Sequence, residues 1–98
     1  KNTRVYPEFP TGNGKIDLII EYAGQIYAIE VKSYTNETGY REGLIQAAEY
    51  GEQMTLSEVW LVFFVEYVDE KNRKKYEKAY LDEDTGVTVK PVFVETGN

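Results

Sequence analysis

Glu30 and Lys32 interrupt an otherwise apolar run, Gln25-Ile26-Tyr27-Ala28-Ile29-Glu30-Val31-Lys32. The run reads as a β-strand. A strand has period two, so the two charges share one face and Val31 takes the other. Ionised groups on a covered face are costly unless they are paired or hold an ion. Asp17 stands near the start of the preceding run, Lys15-Ile16-Asp17-Leu18-Ile19-Ile20-Glu21-Tyr22, and Ala23-Gly24 joins the two as a hairpin. Folding that hairpin brings the Asp17 carboxylate towards Glu30. Two carboxylates about 4 Å apart repel by roughly 4 kcal/mol at an effective dielectric of about 20. A divalent cation between them reverses the sign. Lys32 would then stand beside the cation, able to help activate water or to stabilise charge on a phosphate.

As a string, an acidic residue two before a lysine is weak. With 17 acidic residues and eight Lys in 98 positions, about 1.4 such matches arise by chance. The chain has two, Glu30-Val31-Lys32 and Asp69-Glu70-Lys71. The second falls in a polar connection, and the first is distinguished by its place on an apolar hairpin after Gly14-Lys15-Ile16-Asp17. Composition narrows the chemistry further. The chain has no His and no Cys, which removes His-based triads, thiol nucleophiles, thiolate zinc sites and disulfides. Any metal must be a hard cation held by oxygen. The net charge of −6 argues against a nucleic-acid binder that works by bulk charge, though not against a local basic patch or a metal-bridged contact. No run approaches the ~20 apolar residues of a membrane span, and without a signal-peptide pattern the expected setting is cytoplasmic, with no membrane partner.

The elements that must position these residues follow from periodicity. Arg4 to Phe9 reads as a short extended segment closed by Pro10, and Thr11-Gly12-Asn13-Gly14 as a turn. After the hairpin, Ser33 to Gly39 is polar and reads as a loop. From Tyr40 to Met54 the spacing of Leu44, Ala47, Ala48 and Gly51 predicts a helix. Gly43 and Gly51 weaken it by about 1 kcal/mol each relative to Ala, and such a glycine often admits a close neighbour. Val59 to Val65 lacks alternation and reads as a central strand buried on both faces. Asp69 to Lys75 reads as a charged connection. Lys78 to Asp82 and Val87 to Glu95 read as a terminal hairpin turning at Glu83-Asp84-Thr85-Gly86, with Pro91 near an edge or a bulge. The length supports one domain over 1–98. The order of elements is that of a mixed α/β or α+β domain. The first residue is Lys1 and the single Met is Met54, so the expectation is a piece of a larger protein.

Gly14-Lys15-Ile16-Asp17 followed by Ile29-Glu30-Val31-Lys32 resembles the catalytic hairpin of the PD-(D/E)xK nuclease superfamily, with Ile16 where the motif names a proline. Gln46-Ala47-Ala48-Glu49-Tyr50 resembles the Gln-xxx-Tyr motif of the RecB-like branch, and its two ends, spaced i,i+4, share a helix face. The nearest likeness is to the nuclease-like C-terminal domain of bacterial predicted AAA-ATPase proteins, over roughly Val5 to Val65. The resemblance implies a restriction-endonuclease-like mixed sheet with one central helix and a C-terminal β-hairpin. It implies Mg²⁺ (or Mn²⁺) held by Asp17, Glu30 and the Val31 carbonyl, with Lys32 positioning or activating water and Gln46 and Tyr50 orienting Lys32 or the nucleic-acid backbone. The implied reaction is metal-assisted hydrolysis of DNA phosphodiester bonds, with an ATPase domain in the same full-length chain. The alternative is a catalytically inactive nuclease-like accessory or protein-interaction module of such a protein.

Blander roles compete for each residue. Asp17 could cap the turn at Gly14, Glu30 and Lys32 could form a solvated cross-strand ion pair worth about 0–1 kcal/mol, and Gln46 and Tyr50 could be an ordinary half-buried helix face. Tyr22, Tyr27, Tyr34 and Tyr40 could stack on bases, but strands favour Tyr and most are expected to pack in the sheet. Arg73-Lys74-Lys75 is the one basic cluster; it could touch phosphate, but a solvated loop is the expected reading.

Overall fold

The computed structural model describes residues 3–11, 14–23, 25–33 and 36–97, with side chains described for 18–23, 27–29 and 36–97. Six strands form one mixed sheet: β1 (Thr3–Thr11), β2 (Gly14–Tyr22), β3 (Gln25–Ser33), β4 (Glu58–Val65), β5 (Tyr80–Asp82) and β6 (Val87–Glu95), in the spatial order β1-β2-β3-β4-β6-β5. β1, β2 and β3 are antiparallel neighbours, β3, β4 and β6 run parallel, and β5 returns antiparallel to β6 as the expected terminal hairpin. Helix α1 (Glu37–Gln53) is the crossover from β3 to β4, and α2 (Glu70–Tyr76) lies on the path from β4 to β5. The domain is α+β. Among the described residues no helix is long and apolar enough to cross a membrane.

Helix α1 starts three residues before the first periodic residue. Asn36 is its N-cap and accepts a 2.8 Å bond from the Gly39 N–H, and Glu37 in the first turn suits the helix dipole. The stretch 37–39 therefore belongs to the helix and not to the expected loop. Tyr40, Leu44, Ala47, Ala48 and Gly51 bury one stripe against the sheet. At Gly51 the fit leaves no room for a side chain: a Cβ there would lie 2.8 Å from Val59 Cγ2 and 2.8 Å from Val87 Cγ1. The helix stops in a Schellman arrangement, Leu56 N–H to Gly51 O at 2.8 Å and Thr55 N–H to Glu52 O at 3.1 Å, which puts Thr55 in the left-handed region at φ 59°.

The segment read as a charged connection, Asp69 to Lys75, is mostly helix. Asp69 caps α2 through the Asn72 N–H at 2.8 Å, with Glu70 in the first turn and Arg73, Lys74 and Lys75 in the last. The helix has no buried residue, so it carries no apolar periodicity and rests on capping and charge placement.

β4 corrects a second expectation. Val59, Leu61 and Phe63 are buried beneath α1, whereas Trp60 and Val62 are half-buried and Phe64 is 41% exposed. Only one face of the sheet is covered by a helix of the described chain. An unbroken apolar run here marks a strand whose second face is apolar yet open. The core is the covered face: Ile19, Ala28, Val59, Leu61, Phe63, Val87, Val89 and Phe93 of the sheet against Tyr40, Leu44, Ala47, Ala48 and Tyr50 of α1.

Candidate functional site

The hairpin that carries the candidate acidic residues forms as the sequence predicts. β2 and β3 pair antiparallel from Tyr22↔Gln25 down to Leu18↔Ile29. Asp17 precedes Leu18 and Glu30 follows Ile29, so the two positions lie next to one another beyond the last of these pairs. On the other side of β3 the parallel register sets Glu30 opposite Leu61, Val31 opposite Val62 and Lys32 opposite Phe63. Positions 30 and 32 therefore fall in rows with Leu61 and Phe63, two of the three β4 residues that α1 covers. The side chains of Asp17, Glu30, Val31 and Lys32 lie outside the described residues.

The register also bears on Glu8, an acidic residue of β1. Pro7 pairs with Leu18 and Phe9 with Ile16, so Glu8 falls across from Asp17. Backbone positions 8, 17 and 30 make one acidic row across β1, β2 and β3. No motif marks Glu8; its place in the row follows from strand register, which no local pattern fixes.

Gln46 and Tyr50 sit on α1 in different surroundings. Tyr50 is 6% exposed and belongs to the core, whereas Gln46 is exposed. At 100° per residue they are about 40° apart on the helix, and the solvent boundary runs between them. Of the tyrosines weighed as stacking platforms, Tyr22 is 53% exposed and Tyr40 is buried, its hydroxyl donating to the Tyr76 carbonyl at 2.5 Å. Tyr27 is half-buried in β3, and Tyr34 lies outside the described residues. Tyr40 joins Phe63, Tyr76 and Phe93 in an aromatic cluster with centroids 5.0 to 6.4 Å apart. That cluster floors the covered face at the Lys32 row.

Two charge systems flank this end of the sheet. Arg41 Nη2 lies 2.8 Å from Glu37 Oε2. This bond holds the Glu37 carboxyl below its usual range, with Lys75 adding a smaller pull, and it raises Arg41 in turn. Arg73 Nη1 bonds Glu77 Oε2 at 2.9 Å and the Phe93 carbonyl at 3.1 Å, while Glu77 Oε2 accepts from the Phe93 N–H at 2.6 Å. The acidic turn after β5 is structural: Asp82 is 7% exposed and accepts from Tyr80 Oη, Thr85 N and Thr85 Oγ1 at 2.8 to 3.1 Å. Among the described residues no group of three or more Asp, Glu, His or Cys is placed to hold a metal. No family model, curated protein or solved structure matches the chain.

Proposed function

We propose that the chain is a Mg²⁺-dependent nuclease domain of the PD-(D/E)xK type, built on a restriction-endonuclease-like scaffold and acting on DNA phosphodiester bonds. The observation that carries this reading is the register: Asp17 and Glu30 adjoin the paired Leu18 and Ile29 on neighbouring antiparallel strands, with Lys32 two residues on. The donor set suits the cation. A chain without His or Cys offers only oxygen ligands, and Mg²⁺ takes oxygen. Asp17, Glu30 and the Val31 carbonyl would hold it, and bound there it would supply Lewis-acid polarisation of the phosphate. Lys32 would orient the attacking water and balance charge on the phosphate oxygens. Gln46, exposed on α1, is free of the core and would contact the Lys32 side or the substrate backbone. Tyr50, packed in the core, would act by fixing α1 in place.

Two measurements test the reading. Mg²⁺ or Mn²⁺ should raise the melting temperature by mass action, and plasmid nicking should require that metal. Asp17→Ala should abolish both without lowering the stability of the metal-free protein, because it removes carboxylate repulsion. A large loss of metal-free stability in Asp17→Ala would make Asp17 structural and sink the proposal. A non-catalytic interaction module is the second reading, favoured by the net charge of −6 and by the uncovered apolar side of the sheet. It predicts no nicking under any metal.

A further inference from the structure

Six of the chain's 11 cationic residues, Arg41, Lys71, Arg73, Lys74, Lys75 and Lys78, lie on or beside α2. They divide by what they touch. Arg41 is paired with Glu37, and Arg73 is bound to Glu77 and to the Phe93 carbonyl. Lys75 rests over the Tyr76 ring at 5.1 Å. Lys71, Lys74 and Lys78 are exposed and, among the described residues, make no ion pair. Of the nearby carboxylates, Asp69 caps α2, Glu77 serves Arg73 and Phe93, and Glu95 accepts from the Val68 N–H; Glu70, one turn before Lys74, is the acidic residue of α2 itself and leaves the lysines in excess. The spacing Lys71, Lys74, Lys75 places these residues on one helix face, and Arg73 and Glu77 on the other face hold α2 to β6. The patch is thus a net positive surface, tied to β6 through Arg73 and Glu77, on a molecule of net charge −6.

We propose that this lysine face of α2 docks the phosphate backbone of a nucleic acid and feeds it towards the hairpin. Charge complementarity selects a polyanion. Phosphates along one strand of a duplex recur every ~3.4 Å of axis, so lysines one helical turn apart, ~5.4 Å, meet successive phosphates without straining their long side chains. Position supplies the direction. Lys32 pairs in register with Phe63, and Phe63 with Phe93. At ~4.8 Å per strand position 93 lies about 10 Å across the sheet from position 32, and α2 is bonded directly to Phe93. A strand held on α2 is therefore within a few nucleotides of the candidate catalytic row. For its substrate class this inference rests on the nuclease reading.

The test is binding of a fluorescent DNA duplex in EDTA, where no cleavage can occur, as a function of salt. The triple variant Lys71→Gln, Lys74→Gln, Lys78→Gln spares the paired cations, and Gln forms helix about as well as Lys, so it should keep the wild-type circular dichroism with only a small drop in melting temperature from the lost last-turn charge. Each lost phosphate contact lowers the slope of log K against log salt by about 0.9, so the triple variant should lose about 2.7 from the slope. Its affinity should then be about 40-fold less sensitive to a fourfold change in salt. Lys74→Gln should weaken binding several-fold, whereas Lys90→Gln, the same charge change at a residue paired with Glu58, should not. Equal slopes in wild type and triple variant would overturn the proposal, as would equal losses in Lys74→Gln and Lys90→Gln, or binding to anionic lipid vesicles in place of DNA. Docking that persists while every metal fails to support nicking would remove the nuclease reading alone, and nicking without α2-dependent docking would remove this one alone.

Discussion

Gly51, Thr55 and Tyr80 each carry a consequence that can be measured singly. Gly51 sits under two β-branched side chains whose methyl groups cannot rotate out of the way. Gly51→Ala gains about 1 kcal/mol of helix propensity, yet overpacking costs about 1–3 kcal/mol, so we expect a net loss in urea unfolding. Thr55 holds a left-handed conformation that costs a β-branched residue about 1–2 kcal/mol, so Thr55→Gly should stabilise by about 1 kcal/mol in the same assay. The Tyr80 hydroxyl donates to Asp82 at 3.1 Å. That bond to a carboxylate, with burial second, raises the Tyr80 pKa. The contribution is complete below the ordinary tyrosine value of ~10 and is lost as pH rises through the higher folded value, because the unfolded chain ionises first. Tyr80→Phe should therefore flatten part of the alkaline loss of stability in thermal melts above pH ~10.

At the scale of elements, α2 stands in for a missing strand. β5 pairs with β6 only at Val87–Val89, which leaves the outer edge of β6 open from Lys90 onward. Pro91 has no N–H to offer there, and the Arg73–Glu77 pair satisfies both backbone groups of Phe93. Edges left bare invite pairing with other chains, so this charged helix both closes the edge and presents its lysines outward. Glu77→Ala should cost about 1–3 kcal/mol through the orphaned Phe93 N–H, and hydrogen exchange should show Phe93 losing protection before Val89 does. Unchanged exchange at Phe93 would mean that the edge is held by something other than α2.

For the whole molecule, the sheet is asymmetric in what its two faces contribute. Leu61 is fully buried under α1, while Phe64, three residues on, is 41% exposed on the opposite face. Leu61→Ala should cost about 2–5 kcal/mol, and Phe64→Ala less than half as much, although phenylalanine is the larger side chain. Comparable losses in denaturant unfolding would show that the second face is covered after all. Tyr22, Phe64, Leu81 and Val94 are 40–60% exposed, and no helix of the described chain reaches that side.

Local chemistry was enough to mark most elements. Alternating β-branched runs around Ala23-Gly24 make a hairpin, the three-and-four spacing of Leu44, Ala47, Ala48 and Gly51 makes a helix, and Asp84-Thr85-Gly86 makes a turn, because each signal lies within a few residues of chain. α2 escaped because a helix without a buried stripe has no periodicity to read, and the start of α1 escaped because its cap lies before its first apolar residue. The candidate catalytic positions were also visible in the sequence, as charges placed where apolar residues belong. Only the folded sheet decides which residues become neighbours across strands. The row of Glu8, Asp17 and Glu30, the separation of Gln46 from Tyr50 by a solvent boundary, and the open second face of β4 all follow from register and layering. Those are set by contacts between segments far apart in the chain, where no local pattern carries the information.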